Sequence, residues 1–301
     1  MIRQSADDFF ALLKANAPDP TLPTPTLRKN FSEFYTEMQE GGLKEGDHQA
    51  VKVPLQNGVT GTWVTVPGIS EERVILFFHG GSFSLGSTED HLGLCVRLAR
   101  ASQVKVFSVD YRLAPEHTFP SPVDDAMAAF QFLVKQGFQP HHILPVGISA
   151  GGNLVLALLL SLRDRNLPLP LAAACMSPIT DLTFPGESVE KNAARDWLTP
   201  ERLRGIRQVY LGSRDPALAL ASPVHANLRH LPRLYIQAGT HELLLSDIGK
   251  FVDKARWAGV PVQVEIWEGM FHCWQIFADD IPEGQQAIDH MGLFAQEVLS
   301  R

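Results

Sequence analysis

Short, nearly unbroken apolar runs recur along this chain, at Val74 to Phe78, Val104 to Val109, Ile143 to Val146, Leu171 to Met176, Leu234 to Ala238 and Val262 to Trp267. Each is followed by a segment long enough for a helix. A strand with one wet face alternates apolar and polar residues. A strand covered on both faces does not, and helices cover both faces of a parallel sheet. The pattern therefore predicts an α/β fold, with a mostly parallel central sheet flanked by helices. One earlier stretch behaves differently. Val51, Val53 and Leu55, then Trp63, Val64 and Val66, alternate around Asn57-Gly58, which predicts an antiparallel hairpin between Ala50 and Val66.

The segments between the runs refine this picture. Ala150 to about Asp164 is apolar nearly all round, so that helix is expected deep against the sheet. Ile288, Met291, Ala295, Val298 and Leu299 share one face of a closing amphipathic helix. Near the N-terminus Pro18, Pro20, Pro23 and Pro25 interrupt helical sequence, and Phe31, Phe34, Tyr35 and Met38 then follow at helical spacing, the mark of a buried helix face. Between Asp181 and Leu228 the alternating order fails and helical pieces mix with prolines and several arginines, as in an insertion over the sheet. At 301 residues the chain sits near the size at which one core stops growing, which favours one large domain with an elaboration.

Composition narrows the function classes. A net charge of −7, from 26 basic and 33 acidic residues without a long basic run, argues against a nucleic-acid or anionic-membrane partner. Cys95, Cys175 and Cys273 are scattered through apolar runs and read as buried small hydrophobes in a reducing compartment. No Cys/His cluster has metal-ligand spacing, so neither metal nor cofactor is expected. The longest apolar run, Leu154 to Leu160, is too short to span a bilayer. Asp7 and Asp8 stand where a secretory signal would need an apolar core, and the chain is accordingly expected in the cytoplasm.

Gly147-Ile148-Ser149-Ala150-Gly151 joins a predicted strand to a predicted helix. A serine at so sharp a turn has its hydroxyl pushed out of the carboxyl edge of the sheet, and the flanking glycines leave room for the turn. The helix beginning beside it offers free N–H groups to developing negative charge. His79-Gly80-Gly81-Ser82-Phe83 follows an earlier strand, and its small residues let backbone N–H groups approach an oxyanion. The expected donors are Gly80, Gly81 and Ala150, with His79 bracing the loop. A serine nucleophile needs a base, and the base needs an orienting carboxylate. Of the eleven histidines, His272 lies in a short loop directly after the last predicted strand. His141, His142, His225, His230 and His290 lie in polar loops or on helix faces. For the carboxylate, Glu242 is preferred because it still lies in the loop after its strand. Asp247, entering the next helix, is second, and Asp181 third.

Three strings together carry a resemblance: His79-Gly80-Gly81, Asp110 to Pro120 (DYRLAPEHTFP) and Gly147 to Asn153 (GISAGGN). From about Gly61 onward the chain resembles the hormone-sensitive lipase family of α/β-hydrolases, in its bacterial esterase branch. The resemblance implies a carboxylesterase that cleaves short-to-medium acyl esters of small molecules through Ser149, His272, Glu242 and an acyl-enzyme. It also implies a helical cap, built from residues 1–45 and about 181–228, over a catalytic domain within 46–301. Such enzymes are often dimers, so a homodimer is among its implications. Asp110, Arg112 and Glu116 would form a buried polar brace. Three departures stand out. Ser82 replaces the family's third glycine, Ile148 precedes the nucleophile where Asp or Thr is frequent, and Glu242 stands where many relatives use Asp. The rival readings are a non-catalytic small-molecule-binding α/β-hydrolase and an amidase or peptidase using the same triad.

Overall fold

The computed structural model describes residues 6–17, 19, 22–39, 43 and 46–300. Two N-terminal helices, α1 (Ala6–Asn16) and α2 (Thr24–Gln39), precede the sheet. Pro25 sits in the first turn of α2, where a missing N–H removes no helical bond; Pro18 and Pro20 lie outside the described residues. Phe31, Phe34 and Tyr35 are buried as the spacing predicts, with Phe31 stacked on Tyr35 at 4.1 Å between ring centroids.

The hairpin follows as β1 (Gln49–Pro54) and β2 (Thr60–Thr65), antiparallel, with Asn57 at positive φ in the turn. Strands and helices then alternate: β3 (Ser70–Phe78), α3 (Leu92–Ser102), β4 (Val104–Asp110), α4 (Ser121–Lys135), β5 (Ile143–Ile148), α5 (Ala150–Asp164) and β6 (Ala172–Met176). After β6 come α6 (Ser188–Lys191) and α7 (Pro200–Leu211), both in the segment where the sequence loses its alternation. The fold closes with β7 (Arg233–Gly239), α8 (Leu245–Trp257), β8 (Val262–Trp267) and α9 (Pro282–Leu299). β3 starts before its apolar run, at Ser70, because Glu71, Glu72 and Arg73 lie at the sheet margin beside a register shift.

Among the described residues the sheet has eight strands, in the order β1-β2-β4-β3-β5-β6-β7-β8. β2 runs antiparallel to both β1 and β4, and every pairing from β4 to β8 is parallel. The α/β-hydrolase architecture expected from the sequence is thus present. The strand order fixes where chemistry can occur. From β3 the chain crosses to β4 on one side, then returns to β5 on the other. The connections leaving the carboxyl ends of β3 and β5 diverge and open a crevice at that switch point. The loops that follow these strands carry His79 to Phe83 and Ser149.

α5 is buried along nearly its whole length, as its apolar surface requires. Among the described residues no helix is long and apolar enough to cross a membrane. The string from Asp110 to Pro120 corrects one expectation. Asp110 accepts from the Thr88 N–H (2.7 Å) and pairs with Lys52 (3.1 Å), while Arg112 pairs with buried Asp125 (2.7 Å). Glu116 is not buried: its side chain is 53% exposed and holds Arg28 of α2 at 2.7 Å. Arg28 also donates to the carbonyls of Ser84 (2.8 Å) and Ala114 (2.9 Å). The glutamate therefore anchors the N-terminal helices to the body, a partnership that a local reading of the string could not reveal.

Candidate active site

Ser149 lies where β5 turns into α5, with φ 55° and ψ −116°. That is a costly conformation for a residue with a Cβ. The turn is held by its neighbours' lack of side chains. A Cβ on Gly147 would lie 2.2 Å from the Gly151 carbonyl oxygen, and one on Gly151 would lie 1.9 Å from that of Phe78. Positive φ recurs around the site, at Ser82, Phe83, Ser177 and Cys273, all in loops at the carboxyl ends of strands. Strain held by a rigid sheet is what fixes side chains there.

His272 enters from the loop after β8, with Cys273 in the left-handed region turning the chain. Its Nε2 lies 2.8 Å from Ser149 Oγ, and its Nδ1 lies 3.0 Å from Glu242 Oε2. Glu242 sits between β7 and α8 and is fully buried. Its other oxygen accepts from the Gly239 N–H (2.7 Å) and the Ser177 hydroxyl (2.8 Å). Both carboxylate oxygens are thereby held, and the one facing His272 favours the tautomer with its proton on Nδ1. Burial disfavours a charged imidazole, but the Cys273 sulfur and the Glu242 carboxylate outweigh it and raise the His272 pKa well above its ordinary value.

The other carboxylates weighed from the sequence lie elsewhere. Asp247 is in the first turn of α8, facing Lys250 at 3.5 Å, with its pKa pushed up to about 6 by burial. Asp181 bonds the N–H and hydroxyl of Thr183 and lies 3.3 Å from His225. Neither takes the place beside His272 that Glu242 holds.

The loop after β3 departs from expectation. The Gly80 N–H, anticipated as an oxyanion donor, is directed at His91 Nε2, 3.3 Å away. His91 Nδ1 lies 3.0 Å from the Ser87 carbonyl, which makes Nδ1 the donor and leaves Nε2 as an acceptor. Burial drives the His91 pKa down to about 3, so the ring stays neutral and keeps that lone pair. Among the described residues the N–H groups of Gly81, Ser82 and Ala150 meet no acceptor. The set of free donors is therefore shifted one residue along the loop. His79 does brace it: Nδ1 reaches the Gly80 carbonyl at 2.6 Å, and the ring stacks on Tyr111 at 4.2 Å.

Two supporting residues escaped the sequence reading. Ser177, just past β6, also accepts from the Cys273 N–H (3.2 Å), linking the loops that carry Glu242 and His272. Its position at the carboxyl end of a buried strand was the only signal. Asp196 gave none, lying in the irregular segment between α6 and α7. It is fully buried and accepts from the N–H groups of Leu243 (2.8 Å) and His272 (3.2 Å). Burial pushes its carboxyl up to about 6; His272 opposes that shift and Glu242 adds to it. Asp196→Ala would leave three buried N–H groups, those of Leu198, Leu243 and His272, without this acceptor at ~1–3 kcal/mol each, and a total loss of about 3–5 kcal/mol is expected in urea unfolding. An unchanged unfolding midpoint would show that this carboxylate does not hold the two loops.

The space in front of Ser149 is bordered by Gly81, Ser82 and His272, and by side chains from two further segments. Phe31 and Tyr35 come from α2, while Trp197, Leu198 and Arg202 come from the stretch around α7. The Trp197 indole donates to the His272 carbonyl at 2.7 Å. Among the described residues no group of three or more His, Cys, Asp or Glu could hold a metal ion.

Comparison with known proteins agrees with this fold. A family profile described as "alpha/beta hydrolase fold" matches residues 75–276. An acetyl-hydrolase from Streptomyces hygroscopicus is 41% identical over 236 residues, covering 78% of this chain and 79% of its own. An esterase from Acinetobacter venetianus is 37% identical over 228 residues, 75% of each chain. Among solved structures, an esterase from the bacterial hormone-sensitive lipase family superposes with a TM-score of 0.92 at 38% identity, covering 97% of both chains. With its switch-point serine, its buried histidine and glutamate, and likeness of this extent, the chain belongs to the hormone-sensitive lipase family of α/β-hydrolases.

Proposed function

We propose that this chain is a carboxylesterase acting through an acyl-enzyme. The observation that carries the reading is the buried run from Ser149 Oγ through His272 to Glu242, with separations of 2.8 and 3.0 Å. Ser149 attacks the ester carbonyl while His272 Nε2 takes its proton; Glu242 holds the imidazole and stabilises the imidazolium. The N–H groups of Gly81, Ser82 and Ala150 receive the oxyanion. His272 then protonates the departing alcohol, and water, activated by the same base, releases the acid. Residues 1–45 and about 181–228 act as a cap, since both regions supply walls of the pocket. The three unpaired, buried cysteines suit the reducing cytoplasm.

Bulky walls close to the nucleophile, Phe31, Tyr35, Trp197 and Ile276, favour a short acyl group. The acetyl-hydrolase and esterase names of the relatives point the same way. Hydrolysis of p-nitrophenyl acetate, butyrate, octanoate and palmitate tests the assignment. The highest kcat/KM is expected for acetate or butyrate, with palmitate near background. Folded protein that cleaves none of the four would reject it.

A further inference from the structure

Arg202 is an unusual residue to find beside a hydrolytic serine. It lies in the first turn of α7, where Thr199 caps the helix by accepting the Arg202 N–H (3.2 Å) and Pro200 opens it. Only 9% of the residue is exposed. The guanidinium carbon stands 5.4 Å from the centre of the Trp197 ring, and that ring lies 6.2 Å from the His272 ring. The cation is thus one indole away from the base.

Arg202 also sits at a junction. It borders both the space in front of Ser149 and an adjoining cavity of about 240 Å³ whose walls include Leu27, Leu85, Ile206 and Val209. Ser82 is the other residue common to the two. An ester bound at Ser149 and extending into the second cavity would pass Arg202.

A buried cation ordinarily has a carboxylate partner, because desolvating it alone is costly. Among the described residues Arg202 forms no ion pair. Glu201, its neighbour in sequence, is turned to Arg204 at 2.8 Å, and Asp196 is occupied by backbone N–H groups. Burial lowers the Arg202 pKa; the neighbouring Tyr35 opposes that, but its phenol is itself kept protonated by burial. Glu201 also lines the adjoining cavity, but its carboxylate is committed to Arg204, so among the described residues none is paired with the Arg202 guanidinium. The chain's net charge of −7 would on its own repel anions, so a retained local cation points to a specific counter-charge.

Resting on the esterase reading above, we infer that Arg202 is a specificity-determining residue that receives a carboxylate carried by the substrate, so that anionic esters are preferred to neutral ones. The carboxylate belongs either to the acyl part, as in hemiesters of dicarboxylic acids, or to the alcohol part, as in acylated hydroxy acids. A planar fork of N–H donors matches a carboxylate in both cases.

The test compares charged esters with neutral counterparts. Mono-p-nitrophenyl glutarate is set against p-nitrophenyl pentanoate for the acyl side. For the alcohol side, 4-acetoxybenzoate is set against its methyl ester. The readout is the charged-to-neutral ratio of kcat/KM in the native protein divided by that in Arg202→Met, so that intrinsic ester reactivity cancels. A quotient of roughly ten or more is expected for one pair, the scale of a hydrogen bond to a charged group. Partial recovery is expected in Arg202→Lys, which also serves if the methionine variant does not fold. A quotient near one for both pairs overturns the inference. Calorimetric binding of monomethyl glutarate to the Ser149→Ala protein, with dimethyl glutarate as control, needs no turnover. Binding that requires Arg202, in a protein that cleaves no ester, would keep this inference and reject the esterase reading. Equal binding of the two probes would count against Arg202 whatever the hydrolysis result.

Discussion

Replacing Ser149 or His272 by Ala is expected to lower kcat/KM for p-nitrophenyl butyrate by roughly ten-thousand- to a million-fold. The double replacement is expected to lose little more than either alone. In the proposed mechanism the two side chains, joined by a 2.8 Å contact, form one proton-transfer unit, and half a unit is of little use. Without the imidazole the Ser149 hydroxyl keeps its proton and is a poor nucleophile; without the hydroxyl the imidazole has nothing to activate but water. What remains would come from binding and from the N–H groups of Gly81, Ser82 and Ala150, which neither replacement touches. The Ser149→Ala protein should fold normally. The backbone at φ 55° is imposed by the packing of Gly147 and Gly151, and alanine adopts it as serine does. Circular dichroism and the unfolding midpoint check that point. Activity within tenfold of the native protein in Ser149→Ala would mean that another group is the nucleophile.

Much of this arrangement was legible in the sequence, for a definite reason. A two-faced parallel sheet needs unbroken apolar runs, and the runs carry their own boundaries. Residues at the ends of the runs then fall on one edge. Ser149, Glu242 and His272 could each be picked because each lies just beyond such a run. Glu242 was separable from Asp247 only through a helix boundary, and α8 does begin at Leu245, between them.

What stayed hidden depended on contacts between distant segments. Asp196 belongs to a stretch without periodicity, and its partners, Leu243 and His272, lie far along the chain. Glu116 sits in a string whose meaning looked local, yet its partner Arg28 comes from the N-terminal helices. The engagement of the Gly80 N–H was hidden for the same reason. Nothing in His79-Gly80-Gly81 announces that a histidine from the start of the next helix will take the Gly80 N–H. Glycine shows where backbone can approach a ligand. It does not show which N–H is left free.

Glu242→Gln is expected to reduce kcat by roughly a thousand- to ten-thousand-fold with the fold intact, the scale seen when a triad carboxylate becomes an amide. Oε1 of the native side chain is held by the Gly239 N–H and the Ser177 hydroxyl, both donors, so the amide oxygen would keep that position. The amide nitrogen would then face His272 Nδ1 and donate to it, forcing the imidazole proton onto Nε2. A protonated Nε2 pointing at Ser149 cannot accept the hydroxyl proton. The pH profile adds a second signature. In the native protein burial opposes the imidazolium while Cys273 and Glu242 favour it, with the pKa raised overall. The neutral base therefore accumulates only as pH rises through that raised pKa, and kcat/KM climbs with it. Removing the Glu242 charge takes away a group that favours the imidazolium, so the acid limb should move to lower pH while the plateau falls. Asp247→Asn, altering a carboxylate that faces Lys250 instead of His272, should leave both plateau and limb nearly in place. If Asp247→Asn were the damaging change and Glu242→Gln the mild one, the carboxylate assignment would have to pass to Asp247.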